Sequence, residues 1–310
     1  MVSDTTMRIA FPATPVPRRA IVATLTRFAP APTGWLHLGH VLNALYVWNT
    51  ARLVGCRVLL RIEDHDRERS RPELERGILD DLDWLGFAPD IYPTEAFRHG
   101  RSEGRQSDRD HVYRAAVERL QRLDAVYACE CTRRTLAPST RVARSGQASW
   151  PASGPGQELR YPGTCRDKGL PLVDGFGWRV RIDDRPEHFD DGLLGPQTQR
   201  PGEQCGDVLI RDRRGNWTYQ FAVTVDDLSQ EVDLVIRGID LLQSTGRQIQ
   251  LARLLGRRVP PAYLHHPLIM KSPDQKLSKS DGDTGIAALA SAGWSRERIL
   301  NEAASRIDPQ

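Results

Sequence analysis

Ala29-Pro30-Ala31-Pro32-Thr33-Gly34-Trp35-Leu36-His37-Leu38-Gly39-His40 is the stretch on which the fold turns. Before it, Ile21 to Phe28 is a β-branched, apolar run that predicts a strand. After it, apolar residues at 38, 41, 42, 45 and 48 repeat at helical spacing as far as Val54, and Gly55 supplies a C-terminal stop. The quoted residues are therefore a Pro/Gly-rich turn between a strand and a helix. His37 and His40 stand at i and i+3 on the first helical turn, on one face. Unpaired N–H groups and the positive end of the helix dipole lie beside them, a corner suited to an anion such as phosphate. Helix capping or metal binding by the two histidines is the competing reading.

Working outward, Arg57 to Ile62 predicts a second strand, ending at Glu63-Asp64. Strand, helix and strand in so short a span make a βαβ unit and a parallel sheet. Ligands of such sheets bind beyond the carboxyl ends of the strands, where Arg27, the histidines and Glu63 converge. Pro72 opens a helix to Leu85, stopped by Gly86, and another helix covers about Asp110 to Leu123. Val126 to Thr132 reads as a strand, and Arg133 to Leu159, rich in Ser, Pro, Gly and Ala, as a loop. Trp178 to Ile182, Asp207 to Arg211 and Val232 to Ile236 are further strands. A helix is expected from about Asp240 to Leu255, and helix again over Thr284 to Ile307.

Composition narrows the class. The chain has 310 residues, 39% of them hydrophobic, enough for a packed core, and no apolar run long enough to span a bilayer. Residues 1–19 read as a loose extension and not a signal peptide, so a cytoplasmic location is expected. A net charge of +3 excludes a polybasic nucleic-acid coat. Lysine is confined to Lys168, Lys271, Lys276 and Lys279, while arginine is abundant. Three flexible point charges gathered in one loop suggest work that a rigid guanidinium fork does not do. Five cysteines (56, 129, 131, 165 and 205) in a chain without an export signal argue against a disulfide framework.

The corner at His37-Leu38-Gly39-His40 and the distant Lys276-Leu277-Ser278-Lys279-Ser280 together resemble the HIGH and KMSKS signatures of class I aminoacyl-tRNA synthetases. Arg27-Phe28-Ala29-Pro30 and Arg61-Ile62-Glu63-Asp64 resemble the glutamyl branch, and the likeness runs from about Ile21 to about Ile286. The resemblance implies an α/β, Rossmann-like catalytic domain with an inserted zinc-binding subdomain and a short helical C-terminal segment. Its expected parts are a flexible extension (1–19), two halves of the catalytic domain (20–110 and 206–260), an insertion (111–205), and a lysine loop with C-terminal helices (261–310).

The same resemblance implies roles. His37, His40, Lys276 and Lys279 would stabilise charge as a carboxylate attacks ATP, with His37, Gly39, His40 and Lys279 binding the nucleotide, Ser278 and Ser280 in support, and Mg²⁺ accompanying it. Arg27, Phe28, Ala29, Pro30, Ala31, Glu63, Tyr219 and Arg237 would hold L-glutamate: two arginine forks suit its two carboxylates and Glu63 its ammonium. Read from the residues alone, Arg27 and Glu63 pairing with each other across neighbouring strands is the alternative.

Cys129-x-Cys131 and Tyr161-x₃-Cys165 are similar to the four zinc ligands of glutamyl-queuosine synthetases, implying one Zn²⁺ per chain. The interval from Arg133 to Leu159 is longer than that family leads one to expect, and reduced structural cysteines are the alternative. Only 30 residues follow Ser280, so no large anticodon-reading domain is expected. The family would act as a monomer on queuosine in the anticodon of tRNA(Asp). A shortened enzyme charging a tRNA 3′ end, or a non-catalytic zinc-stabilised RNA-binding module, are the rival readings.

Overall fold

In a computed structural model of the chain, the structure describes residues 21–136, 160–272, 275–276 and 284–306. The expected extension at 1–19, most of the loop after Arg133, and Ser278, Lys279 and Ser280 lie outside the described residues.

The chain opens with β1 (Leu25–Phe28), α1 (Leu38–Val54) and β2 (Arg57–Leu60), the βαβ unit that the periodicity predicts. β1 is shorter than the run from Ile21 because Thr24 is occupied elsewhere: its backbone N–H and its hydroxyl both bond to the Asp233 carboxylate. α1 is buried on most of its surface and ends at Gly55 with φ 76°, a left-handed cap that glycine adopts without steric cost. α2 (Pro72–Leu85) starts on its proline and closes on Gly86. α3 (Glu95–Arg98) is one turn. α4 (Asp110–Arg122) buries Tyr113, Val117 and Leu120, and Val112 and Ala116 pack against the same core.

Next come β3 (Val126–Cys129), the single turn α5 (Arg133–Leu136), β4 (Gly177–Val180), β5 (Glu187–Asp191), β6 (Gly195–Gln199), the turn α6 (Pro201–Gln204) and β7 (Val208–Arg211). α7 (Tyr219–Ser229), β8 (Leu234–Gly238), α8 (Thr245–Leu254) and β9 (Ala262–His266) complete the central part. A 3-10 segment over Ile239–Ser244 precedes α8, so the helix expected from Asp240 begins later. A hairpin of β10 (Met270–Ser272) and β11 (Gln275–Lys276) follows, then α9 (Ile286–Ser291) and α10 (Arg296–Ser305). The last two are separate helices, not one, because Gly293 takes φ 83° between them.

Six strands form the main sheet in the order β2-β1-β8-β9-β5-β6, all parallel except the β5/β6 hairpin. β3, β4 and β7 form a separate antiparallel sheet. Residues 187–199 fall within the 111–205 span assigned to the insertion, yet they extend the main sheet. Polarity hides them from the sequence. The inward residues of β5 include Glu187 and Asp191, buried because Arg253 bonds to Glu187 (2.6 and 2.7 Å) and His265 to Asp191 (2.7 Å). Apolar alternation, the usual signature of a strand, is therefore weak there.

Candidate active site

Five parallel strands end at one edge, and each delivers a polar side chain to it. β1 carries Arg27, β8 Arg237, β9 His265 and β5 Asp191, while Glu63 follows β2. Continued backbone pairing holds the first loops together: Arg61 N–H donates to the Phe28 carbonyl (2.9 Å) and Glu63 N–H to the Pro30 carbonyl (3.0 Å). The Phe28 side chain points into the core, 5.5 Å from the Trp48 ring, and Pro30 is buried, whereas Ala29 and Ala31 are half-buried.

The histidines cap α1. His37 Nδ1 accepts from Gly39 N–H, and His40 Nδ1 accepts from His37 N–H, each at 3.1 Å. The ring centroids stand 4.0 Å apart. An Nδ1 that accepts a hydrogen bond carries no proton, so in this arrangement both rings are neutral with their proton on Nε2. Capping, weighed above as an alternative to anion chemistry, thus fixes the tautomer that makes each histidine a donor. Gly39 fits because a Cβ there would lie 2.9 Å from the His37 ring.

Arg27 and Glu63 do not pair with each other. Arg27 Nε donates to Asp227 Oδ1 (3.1 Å) and Nη1 to the Ile236 carbonyl (3.2 Å). Glu63 is held instead by Arg61, whose Nη2 reaches Oε1 at 3.1 Å. Arg61 is fully buried and its Nη1 also donates to Asp227 Oδ1 at 2.8 Å. Burial of Asp227 by itself favours the neutral acid, but Arg27 and then Arg61 outweigh it and hold the carboxyl below its ordinary value. Neighbouring Asp226 accepts from Gln106 (2.8 Å), Arg109 (2.8 Å) and the Tyr113 hydroxyl (2.9 Å). Glu63 Oε2 accepts no hydrogen bond among the described residues. Tyr219, the first residue of α7, is half-buried, and burial followed by the nearby Glu63 raises its phenol above the ordinary value, so it stays a donor.

Arg237 differs from the other buried arginines here. It is 3% exposed, yet no carboxylate among the described residues stands within ion-pair distance. Its partners are all neutral: His265 Nε2 (3.0 Å), Gln248 Oε1 (2.7 Å) and Thr245 Oγ1 (2.9 Å). A guanidinium has five N–H groups, so two remain for a ligand.

β10 and β11 leave from the same edge, with Met270 paired to Lys276. After the lysine segment the chain returns beside the histidines, where Ile286 N–H donates to the Leu36 carbonyl at 2.9 Å. The segment that opens α9 is thus tied to Leu36, next to His37.

A second cluster lies on the antiparallel sheet. The sulfurs of Cys129, Cys131 and Cys165 all lie within 4.8 Å of one another, with Cys131 and Cys165 3.5 Å apart. Tetrahedral zinc with Zn–S near 2.3 Å holds its sulfurs roughly 3.8 Å apart, so this donor set suits the ion. The Tyr161 hydroxyl is 3.5 Å from Cys129 Sγ and accepts from Cys165 N–H at 2.7 Å. The Arg179 guanidinium stacks 3.7 Å above its ring. Cys56 and Cys205 stand apart from the cluster.

Sequence reasoning gave Arg61 no role and missed Asp226, Asp227, Asp191 and His265. Asp226-Asp227 on an otherwise apolar helix is the one signal that marked any of them: two adjacent carboxylates buried in a core need arginine partners.

A signature pair, a parallel-sheet edge and a cap of two histidines define a class. The family of class I tRNA synthetases (E and Q), catalytic domain, matches residues 23–306. The chain is 42% identical to the glutamyl-Q tRNA(Asp) synthetase of Ralstonia nicotianae, over 84% of this chain and 78% of that protein. It is 40% identical to the protein of the same name from Symbiobacterium thermophilum, over 90% of this chain and 84% of that one. The chain belongs to the glutamyl-Q tRNA(Asp) synthetase family within this class. Among solved structures, a glutamate tRNA ligase of Elizabethkingia meningosepticum, crystallised in complex with its amino acid, superposes with a TM-score of 0.71 at 26% identity. That match covers 91% of this chain, which spans 60% of the ligase.

Proposed function

We propose that the chain activates L-glutamate with ATP and transfers the glutamyl group to queuosine in the anticodon of tRNA(Asp). The observation that carries the amino-acid half is Arg237, a buried cation without an anionic partner among the described residues, at the carboxyl edge of the sheet with Arg27, Glu63 and Tyr219. A substrate carboxylate completes it. Arg27 takes a second carboxylate, Glu63 Oε2 the ammonium, and the backbone of 28–31 walls the pocket. The family names of the relatives support the acceptor.

In the first step the α-carboxylate of glutamate attacks the α-phosphorus of ATP, a C–O–P bond forms, and pyrophosphate leaves. Charge grows on phosphate oxygens, where the Nε2–H groups of His37 and His40 and the ammonium groups of Lys276 and Lys279 stabilise it. Gly39 leaves room for the nucleotide, and Mg²⁺ accompanies the phosphates. In the second step a hydroxyl of queuosine's cyclopentene ring attacks the adenylate carbonyl, and AMP leaves. Cys129, Cys131, Cys165 and Tyr161 would hold one zinc, supplying a structural cross-link for the inserted sheet, which faces RNA in this reading.

The test uses labelled glutamate, ATP and queuosine-containing tRNA(Asp) whose 3′ end is chemically blocked while the queuosine diol stays intact. Label on the blocked tRNA supports the proposal. Label only on tRNA with a free 3′ end makes the chain a shortened aminoacylating enzyme and overturns the acceptor assignment.

A further inference from the structure

Among the described residues Arg237 bonds only to neutral groups, and one of them is not free to choose its protonation. His265 Nε2 lies 3.0 Å from Arg237 Nε, and arginine has no acceptor atom. Nε2 must therefore present its lone pair. The proton sits on Nδ1, which is 2.7 Å from Asp191 Oδ2. The same carboxylate oxygen accepts the His265 backbone N–H at 3.1 Å, and Oδ1 accepts Leu193 and Leu194 N–H at 3.0 and 2.9 Å. All four lone-pair directions of Asp191 are thus used, and it is 3% exposed. Thr245 Oγ1 closes the arrangement, accepting from Arg237 Nη2 at 2.9 Å and lying 3.3 Å from His265 Nε2.

We infer that Asp191 and His265 are positioning residues for glutamate specificity: they lock the imidazole as an acceptor that orients Arg237 without neutralising it. A carboxylate in the place of His265 would pair with Arg237 and quench the charge that the substrate has to meet. A neutral acceptor fixes the fork and leaves two N–H groups and the full charge to a carboxylate of the substrate. Asp191 stands one residue further off, so its own charge orients the ring instead of competing for the guanidinium. The inference rests on the reading of Arg237 as a glutamate-binding residue.

The test compares His265→Leu, which removes the acceptor, with His265→Gln, which offers Oε1 in its place. ATP–pyrophosphate exchange is measured as a function of glutamate and, separately, of ATP. His265→Leu is expected to raise the glutamate KM about tenfold or more, the size expected when a buried charged donor loses its acceptor, with the ATP KM unchanged. His265→Gln recovers most of the loss. Equal effects of Leu and Gln, or parallel shifts in both KM values, overturn the inference. Imidazole ¹⁵N spectra of the unaltered protein give a second measurement, needed if the Leu variant does not fold. The signal lost in His265→Gln should show the neutral Nδ1–H tautomer, and an Nε2–H or doubly protonated ring would sink the idea. Arg237→Lys, assayed alongside, separates the two layers. If it leaves the glutamate KM unchanged, the glutamate-site reading falls and takes this inference with it. If it raises KM while His265→Leu does not, the positioning role alone fails.

Discussion

Asp227→Asn removes one negative charge from between two buried arginines while keeping the shape. In the native protein Oδ1 receives both Arg27 Nε (3.1 Å) and Arg61 Nη1 (2.8 Å), and both arginines are buried. Breaking a buried pair by removing one partner costs about 3–5 kcal/mol, and the amide oxygen still accepts, so about 3 kcal/mol is expected. At roughly 2–4 °C per kcal/mol the melting temperature falls on the order of 6–12 °C. The pH dependence carries the sharper signature. A carboxyl held below its ordinary value stabilises the fold above the unfolded pKa, near 3.9, and loses that contribution as pH falls toward the depressed folded value. The Asn variant should therefore show its full deficit at pH 7 and a shrinking one below about pH 4. Because Arg27 loses its anchor, the glutamate KM should rise as well. Urea unfolding of both proteins across the acid range tests this. A variant within about 1 kcal/mol of the parent at pH 7, or a deficit that does not narrow in acid, would refute the reasoning.

Arg237→Lys keeps the charge but loses the fork, and should raise the glutamate KM by roughly 10²-fold in pyrophosphate exchange, since one charge-assisted bidentate contact is lost. Asp81→Asn should stabilise the protein by about 2–4 kcal/mol at pH 8 in urea unfolding. Burial, then Asp80, raises the Asp81 carboxyl to about 7, and its Oδ2 has no hydrogen-bond partner among the described residues. The gain belongs to the ionised form: it should fade as pH falls through 7 and vanish near 4, and a gain independent of pH would count against this account. Elemental analysis is expected to give about one zinc per chain, and chelation should lower the melting temperature while Cys56→Ser leaves the zinc content unchanged. Metal-free protein of undiminished melting temperature would remove the zinc assignment.

Much of this site is legible because its residues sit where periodicity changes. The strand-to-helix corner at His37, the stop at Gly55 and the residues at strand ends, Arg27, Glu63 and Arg237, follow from local pattern. What is not legible is partnership. Arg27 and Glu63 look like mates on adjacent strands, but a helix about 200 residues away supplies Asp227 to one, and Arg61 serves the other. The β5/β6 hairpin is hidden for the related reason that its buried residues are charged, and their mates, Arg253 and His265, lie far along the chain. Local propensity registers the cost of burying a charge and not the remote group that offsets it.

The strand order also sets a timetable for biosynthesis. β1 is made early, but its second neighbour, β8, pairs with it through Thr26 and Leu234, and the Thr24–Asp233 clasp joins residues 209 positions apart. At about 5–20 residues per second, a nascent β1 waits roughly 10–40 s for that neighbour. Until then the βαβ unit presents an unpaired apolar edge to the crowded space outside the ribosome. The chain should accordingly depend on holding chaperones during synthesis, and substitutions that slow the closing of β8 should lower soluble yield without touching the finished enzyme.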